Sequence, residues 1–148
     1  MEDIREHFMR AKEPMTARVL YKVDIPGRFL IDLSINGIMF KDTLCDSGSC
    51  INLMYMDIAK KIGIKKLQPS RIQIGLADSS SITPKGMVLN LYVRIGDCDV
   101  PTDFHIVELQ RKGFSNIILG GSFLGTVGAV MNWPNQGMFF TNINKDAF

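Results

Sequence analysis

Apolar and polar residues alternate with a period of two through most of the chain, from about residue 19 to about residue 141. This alternation is typical of β-strands that bury one face. In RFLIDLSINGIMFKDTLCDSG, apolar residues at positions 29, 31, 33 and 35 alternate with the residues between them. Asn36-Gly37 then indicates a two-residue hairpin turn. We therefore predict a β-hairpin whose second strand ends at Asp46.

Later segments continue the β pattern. RIQIGLADSSSITPKGMVLNLYVRIGD predicts two alternating strands around a polar tip from Asp78 to Thr83, and DVPTDFHIVEL predicts another strand. The run NIILGGSFLGTVGAVMNW is apolar and broken by glycines, and GMFFTNI follows it. Within this β-rich region, YMDIAKKIGI has helical spacing, with Gly63 placed to end a helix. The pattern predicts an all-β domain with one short helix.

The chain of 148 residues is long enough for one hydrophobic core but not for two. We assign residues 19–148 to a single domain. Residues 1–18 are interpreted as an N-terminal extension or linker, because MEDIREHFMRAKE has helical spacing but stops at Pro14. This segment is either a short helix or a disordered lead.

Charge and composition exclude several classes of function. The net charge is +2 and the basic residues are scattered, so we expect no direct nucleic-acid partner. No apolar run reaches the roughly 20 residues of a membrane span, and the N-terminus lacks the pattern of a signal peptide. We expect an intracellular, cytoplasmic protein without membrane attachment. The three cysteines form no C-x-x-C motif, which favours reduced thiols and no metal.

Asp46-Ser47-Gly48 is the main candidate for chemistry, because it interrupts the apolar run LCDSGSCINLM. A carboxylate in such surroundings loses hydration, at a cost of several kcal/mol unless it is paired or hydrogen-bonded. This placement indicates a functional site, although the tripeptide alone is also compatible with an ordinary Asp-capped turn. A Ser-His-Asp triad is poorly supported, since the chain has only two histidines.

Three motifs in sequence, LCDSGS, LADSSSITPKG and IILGGSFLG, resemble those of retropepsin-type aspartic proteases, particularly from gypsy-like LTR retrotransposons of plants. The family pattern is a hydrophobic residue before Asp-[Ser/Thr]-Gly-[Ala/Ser], then a flap hairpin, then two hydrophobic residues before Gly-Arg-x-x-Leu. The resemblance covers roughly residues 29 to 141. It implies a partly closed, retroviral-protease-like barrel of one lobe, which hydrolyses peptide bonds in a retroelement polyprotein.

The resemblance also implies roles for individual residues. Asp46 would be catalytic, and no metal or organic cofactor would be needed. The other implied site residues are the active-loop residues Ser47, Gly48 and Ser49, the flap residues Ala77, Asp78, Ser79, Ser80 and Ser81, and the second-motif residues Ile118, Leu119 and Gly120 beneath the active loop.

The resemblance implies a homodimer, because the proteolytic chemistry needs two carboxylates that share a proton and activate a water molecule. The chain has one Asp-Ser-Gly, so each of two chains would supply Asp46 across a two-fold axis. Two positions depart from the family pattern. Cys50 replaces an aspartate and Gly121 replaces the arginine, so the ion pair that braces dimers in other members is missing.

Two other functions remain open at this stage. One is a catalytically inactive module of the same fold that binds peptides or serves as a scaffold. The other is a β-barrel interaction domain unrelated to proteases. A strict monomer would favour the first alternative over a protease, and an Asp46→Asn variant without any loss would favour the second.

Overall fold

The computed structural model describes residues 21–22, 28–75, 79–108, 117–132 and 137–141. The predicted extension, residues 1–18, lies outside the described residues. The strands are β1 (Tyr21–Lys22), β2 (Arg28–Ile35), β3 (Ile38–Asp46), β4 (Leu53–Tyr55), β5 (Ile74–Gly75), β6 (Ser81–Ile82), β7 (Gly86–Ile95), β8 (Cys98–Val107), β9 (Ile117–Leu119), β10 (Ala129–Asn132) and β11 (Gly137–Phe140). The helices in these residues are α1 (Met56–Lys61) and α2 (Gly121–Thr126).

Six of the strands close into a barrel. The main sheet has the order β1-β2-β3-β9-β4-β8-β7, and β7 also pairs with β2 through Ser34 and Arg94. In the spatial order β2-β3-β9-β4-β8-β7, β2 and β7 are the first and last strands. The Ser34–Arg94 pair between them therefore closes the ring. Two small sheets, β5-β6 and β10-β11, accompany the barrel. The predicted all-β, retroviral-protease-like fold class is confirmed.

The predicted β2–β3 hairpin is present, with a turn at Asn36-Gly37. Both turn residues have positive φ, 51° and 79°, as a two-residue turn of type I′ requires. Further along β3, Asp42 also has a positive φ of 54°, at a bulge that shifts the pairing by one residue. The Asp42 amide donates to Oδ1 of Asp32 on β2 at 2.9 Å. The Asp32 side chain of β2 thus stabilises the bulge in β3.

The β7–β8 hairpin contains a similar bulge. Asn90 has a φ of 55°, and its amide donates to Oδ1 of Asp103 on β8 at 2.8 Å. The alternation predicted for β8 is confirmed, since Val100, Phe104 and Ile106 share one face of the strand and are fully buried. The long strand β7 pairs mainly with β8, whereas the predicted partner before the serine-rich tip contributes only the two-residue strand β5.

Helix α1 forms where its spacing predicts. Its C-terminus has both hydrogen bonds of a Schellman motif, from the Gly63 amide to the Lys60 carbonyl and from the Ile64 amide to the Ala59 carbonyl. Gly63 has a φ of 91°, which glycine adopts without strain. The sequence pattern predicts one short helix, but the structure has a second one, α2, in the apolar run after β9. The glycines of that run obscured its helical periodicity.

The core lies inside the barrel and is built mainly from β2, β7, β8 and β9, and α1 and α2 contribute buried residues to it. Its largest fully buried side chains include Phe29, Phe104 and Phe123. Phe123 of α2 makes an edge-to-face contact with Phe140 of β11, with ring centroids 6.0 Å apart. Within the described residues, no helix is long and apolar enough to cross a membrane.

Replacing Phe104 with alanine should lower the free energy of unfolding by about 3–5 kcal/mol, because it leaves a cavity in a closed, fully packed barrel. Urea denaturation followed by circular dichroism measures this change. Tyr92→Ala is the control, since Tyr92 lies on the neighbouring strand with 59% exposure and its replacement should change stability by less than about 0.5 kcal/mol. A loss below about 1 kcal/mol for Phe104→Ala would contradict the packing described here.

Candidate active site

Asp46 is the last residue of β3, at the point where the chain leaves the barrel and enters a tight turn. We call residues 46–52 the active loop. The preceding residue, Cys45, faces the core and is fully buried. Because successive strand residues point to opposite faces, Asp46 points away from that core. Its side chain is 17% exposed, so the carboxylate is largely shielded but still accessible from solvent.

Both carboxylate oxygens of Asp46 have a partner. The Gly48 amide donates to Oδ1 at 2.9 Å, and Nε of Arg28 donates to Oδ2 at 3.3 Å. The Ser49 amide also donates to the Asp46 carbonyl at 3.1 Å, which closes the turn. Charge-assisted hydrogen bonds of this kind offset the loss of hydration that a shielded carboxylate suffers. The acidic residue in the apolar run is therefore held in a defined orientation.

The second predicted motif lies directly against the active loop. Strand β9 is inserted between β3 and β4, where Ile118 pairs with Leu44 on one side and with Leu53 on the other. Leu119 pairs with Cys45, immediately before the catalytic candidate Asp46. The two ends of the active loop are thus fastened to the same short, fully buried strand.

Gly120 follows β9 and makes the closest approach to the active loop. A Cβ atom at this position would overlap the Ile51 carbonyl oxygen and lie 2.6 Å from that of Ser49. The next amide, of Gly121, donates to the same Ser49 carbonyl at 2.6 Å. Gly120 is therefore required by close contact with the backbone of the active loop, and Gly121 takes part through its main chain.

Asn52 is a buried residue of the site that the sequence motifs did not identify. It is only 1% exposed, and its Oδ1 accepts from the Gly120 amide at 2.8 Å. Its Nδ2 donates to the Asp103 carbonyl at 3.0 Å, and its own carbonyl accepts from the His105 amide. This asparagine joins the active loop to β8 and to the residue after β9. An asparagine within an otherwise apolar segment, INLM, is the sequence signal that could have pointed to it.

Arg28 is the second site residue that sequence reasoning missed. It lies opposite Asp46 in the β2–β3 pairing, because the bulge at Asp42 moves the register by one residue. If the pairing continued from the Asn36-Gly37 turn without the bulge, the residue before Arg28 would lie opposite Asp46. The charge of Arg28 is visible in the sequence, but its position beside the carboxylate depends on the bulge.

The remaining predicted site residues divide into three groups. Ser47 is exposed on the active loop, and the Ser49 hydroxyl donates to the Ile51 carbonyl at 2.8 Å within that loop. Among the predicted flap residues, Ser81 begins β6 of the two-stranded β5–β6 sheet, and Ser79 and Ser80 precede it. Ala77 and Asp78 lie outside the described residues.

The cysteines are free thiols in three environments. Burial raises the pKa of Cys45 to about 12, so this thiol stays protonated and unreactive next to Asp46. Cys98 is buried as well, whereas Cys50 is exposed on the active loop. Among the residues that the structure describes, no group of three or more histidine, cysteine or acidic side chains is arranged to hold a metal ion.

His105 links β8 to Ser70, which lies in the segment that leads to the β5–β6 sheet. Its Nδ1 lies 3.0 Å from the Ser70 hydroxyl, within hydrogen-bonding distance. Burial lowers the pKa of His105, and the nearby Asp103 carboxylate opposes that shift. The imidazole is thus partly enclosed by its own chain.

Comparison with known proteins identifies the fold. No family model matches the chain, and no curated protein matches it by sequence. Among solved structures, it is similar to the retroviral protease-like domain of Ddi1 from Leishmania major, with a TM-score of 0.59 and 20% identity over 78% of this chain and 90% of that one. It is also similar to a retropepsin-like aspartic protease from Rickettsia conorii, with a TM-score of 0.59 and 18% identity over 82% and 88% of the two chains.

These similarities show that the chain has the retropepsin-like fold. The fold of the two neighbours is matched over nearly their whole length, so the resemblance concerns a complete domain and not a shared hairpin. At this level of identity the comparison establishes architecture, and the chemistry of the site must be argued from its own residues.

Gly120→Ala should destabilise the protein by about 2 kcal/mol or more, because the new methyl group collides with two backbone carbonyls of the active loop. Gly125→Ala is the matched control. Gly125 lies in α2, and apart from the backbone of its own helix nothing lies within 4 Å of the position that a methyl group would occupy there, so alanine should be neutral or stabilise by up to about 1 kcal/mol. Denaturant titration of both variants measures the difference, and equal stabilities would contradict the contact of Gly120 with the loop.

The lowered pKa of His105 should make the protein lose stability as the pH falls below about 6.5, the pKa of histidine in an unfolded chain. Below that pH the unfolded chain takes up a proton more readily than the folded one, so protonation favours unfolding. We expect the wild-type chain to lose more unfolding free energy than His105→Gln between about pH 7 and pH 5. A constant difference between the two proteins over this range would show that His105 titrates alike in both states.

Proposed function

We propose that this protein is an aspartic endopeptidase of the retropepsin type, active as a homodimer. The observation that carries the proposal is the position of Asp46. It ends β3 in a retropepsin-like fold, its carboxylate is oriented by the Gly48 amide, and it remains 17% exposed. A shielded but reachable carboxylate on a rigid support is what general acid and base catalysis requires.

Two copies of Asp46 would form the catalytic pair. Two carboxyl groups that lie close together cannot both ionise, so they share one proton. The ionised carboxylate takes a proton from a bound water molecule, which attacks the peptide carbonyl carbon, while the protonated carboxyl donates to the carbonyl oxygen. The chain carries a single Asp-Ser-Gly, so the second carboxyl must come from another copy across a two-fold axis.

The other residues have supporting roles in this proposal. Ser47, exposed beside Asp46, would hydrogen-bond across the dimer axis. Ile118, Leu119 and Gly120 would keep the active loop rigid, which agrees with their pairing and close contact beneath it. Residues 77–81 would form a flap that covers an extended peptide and excludes water.

The proposed substrate is a polypeptide, and we infer that it is the polyprotein of a gypsy-like retroelement. This narrower inference rests on the order of the three sequence motifs and on the residues in each of them. Cys50 and Gly121 remove the charged pair that braces the dimer in related proteases, so we expect the dimer to be weak and its activity to depend on concentration.

The proposal predicts that cleavage of a mixed peptide library, measured between about pH 4 and pH 7, rises more steeply than linearly with protein concentration. Asp46→Asn should lower kcat/KM by at least about a hundredfold, because an amide can neither take up nor share the proton. Asp99→Asn makes the same chemical change in an exposed ion pair with Arg94 and should retain wild-type activity.

Equal activities for Asp46→Asn and the wild-type chain would overturn the assignment of the catalytic residue. No cleavage by the wild-type protein, at concentrations where sedimentation shows a dimer, would instead favour the catalytically inactive peptide-binding or scaffolding module of the same fold. Linear dependence of the rate on concentration, from a protein that sediments as a monomer, would exclude the shared pair of carboxylates.

A further inference from the structure

Arg28 places a positive charge at the candidate active site. It is the first residue of β2 and lies directly opposite Asp46 in the strand pairing. Its Nε donates to Oδ2 of Asp46 at 3.3 Å, while its side chain remains 32% exposed. A guanidinium carries five N–H donors, so one bond to Asp46 leaves it able to bind another carboxylate.

The surroundings of this ion pair contain little other charge. The active loop and β4 (residues 46–55), together with β9 and α2 (residues 117–126), include Asp46 as their single charged residue. Cys50 and Gly121 are neutral residues at positions that are charged in related motifs. Residues 46–55 and 117–126 therefore supply no other charged side chain that could pair with Arg28 or Asp46.

The charges of Arg28 and Asp46 do not balance in a working dimer. Two Arg28 side chains contribute two positive charges, but a pair of Asp46 carboxyl groups that shares one proton carries only one negative charge. One guanidinium is then left beside a protonated carboxyl, which is a poor partner for it. Arginine binds carboxylates through two parallel hydrogen bonds, so an acidic side chain of the substrate would restore the balance.

We propose that Arg28 is a specificity-determining residue that selects peptides with a glutamate or aspartate close to the scissile bond. The inference rests on the proposed function, because the charge surplus arises only when two copies of Asp46 share a proton. Arg28 also binds Asp46 in the single chain, so the same guanidinium holds the carboxylate before substrate arrives and contacts the substrate afterwards.

The test compares peptides that differ only by glutamate or glutamine at each position around the cleavage site. The wild-type protein should cleave the best glutamate peptide with a kcat/KM roughly tenfold above that of its glutamine partner. In Arg28→Gln this ratio should fall to about one, and Arg28→Lys should restore part of it, because lysine keeps the charge but not the planar fork. Arg94→Gln, which alters an exposed arginine paired with Asp99, should keep the wild-type ratio.

Equal cleavage of the paired peptides by the wild-type protein would overturn the proposal, and so would an unchanged ratio in Arg28→Gln. If Arg28→Gln weakens the dimer in sedimentation and leaves the ratio unchanged, the guanidinium pairs with the other subunit and the proposal is also wrong. All three outcomes leave the protease assignment intact, since cleavage itself is observed.

A binding measurement separates this inference from the proposed function. Asp46→Asn removes the carboxylate partner of Arg28, so fluorescence anisotropy with this variant should show tighter binding of the glutamate peptide than of the glutamine peptide. Absence of cleavage by the wild-type chain would refute the protease assignment. Equal binding of the two peptides by Asp46→Asn would refute the role of Arg28.

Discussion

The close contact between Gly120 and the backbone of the active loop is the constraint on which the site depends. Because Gly120 has no side chain, the end of β9 comes within hydrogen-bonding distance of Ser49 and Asn52. This contact fixes the loop that carries Asp46 to a fully buried strand of the barrel. The loop whose Gly48 amide orients the carboxylate is therefore itself held in place by the core.

Electrostatics explain how an acidic residue is kept in an apolar run. The Asp46 carboxylate receives the Gly48 amide on one oxygen and the Arg28 guanidinium on the other. The first partner comes from the Asp-Ser-Gly turn, and the second from the neighbouring strand. Together the two contacts hold both oxygens of the carboxylate in place.

Much of the fold follows from local sequence signals. The Asn36-Gly37 turn, the alternation along β8 and Gly63 at the end of α1 each act over a few residues, so the sequence alone predicts them. Helix α2 was not predicted, because glycines weaken its pattern. The motif residues of the active loop and β9 were identified through resemblance to a family, since strands so distant in sequence carry no local signal of their contact.

Arg28 and Asn52 could not have been placed from the sequence. The position of Arg28 depends on a bulge whose left-handed residue, Asp42, is stabilised by a carboxylate of the opposite strand. Asn52 matters through bonds to Gly120 and Asp103, residues that are distant in the sequence. Long-range contacts of this type arise only once the barrel has closed.

The central claim is that one active site contains Asp46 from two chains, and mixing two proteins tests it most directly. Asp46→Asn chains are added in equal amount to wild-type chains, under conditions where both are dimeric and have exchanged subunits. If mixed dimers are inactive, total peptide cleavage should fall to about half, because random pairing leaves half of the wild-type chains in wild-type dimers. Unchanged cleavage would mean that each chain works alone, which would contradict the account.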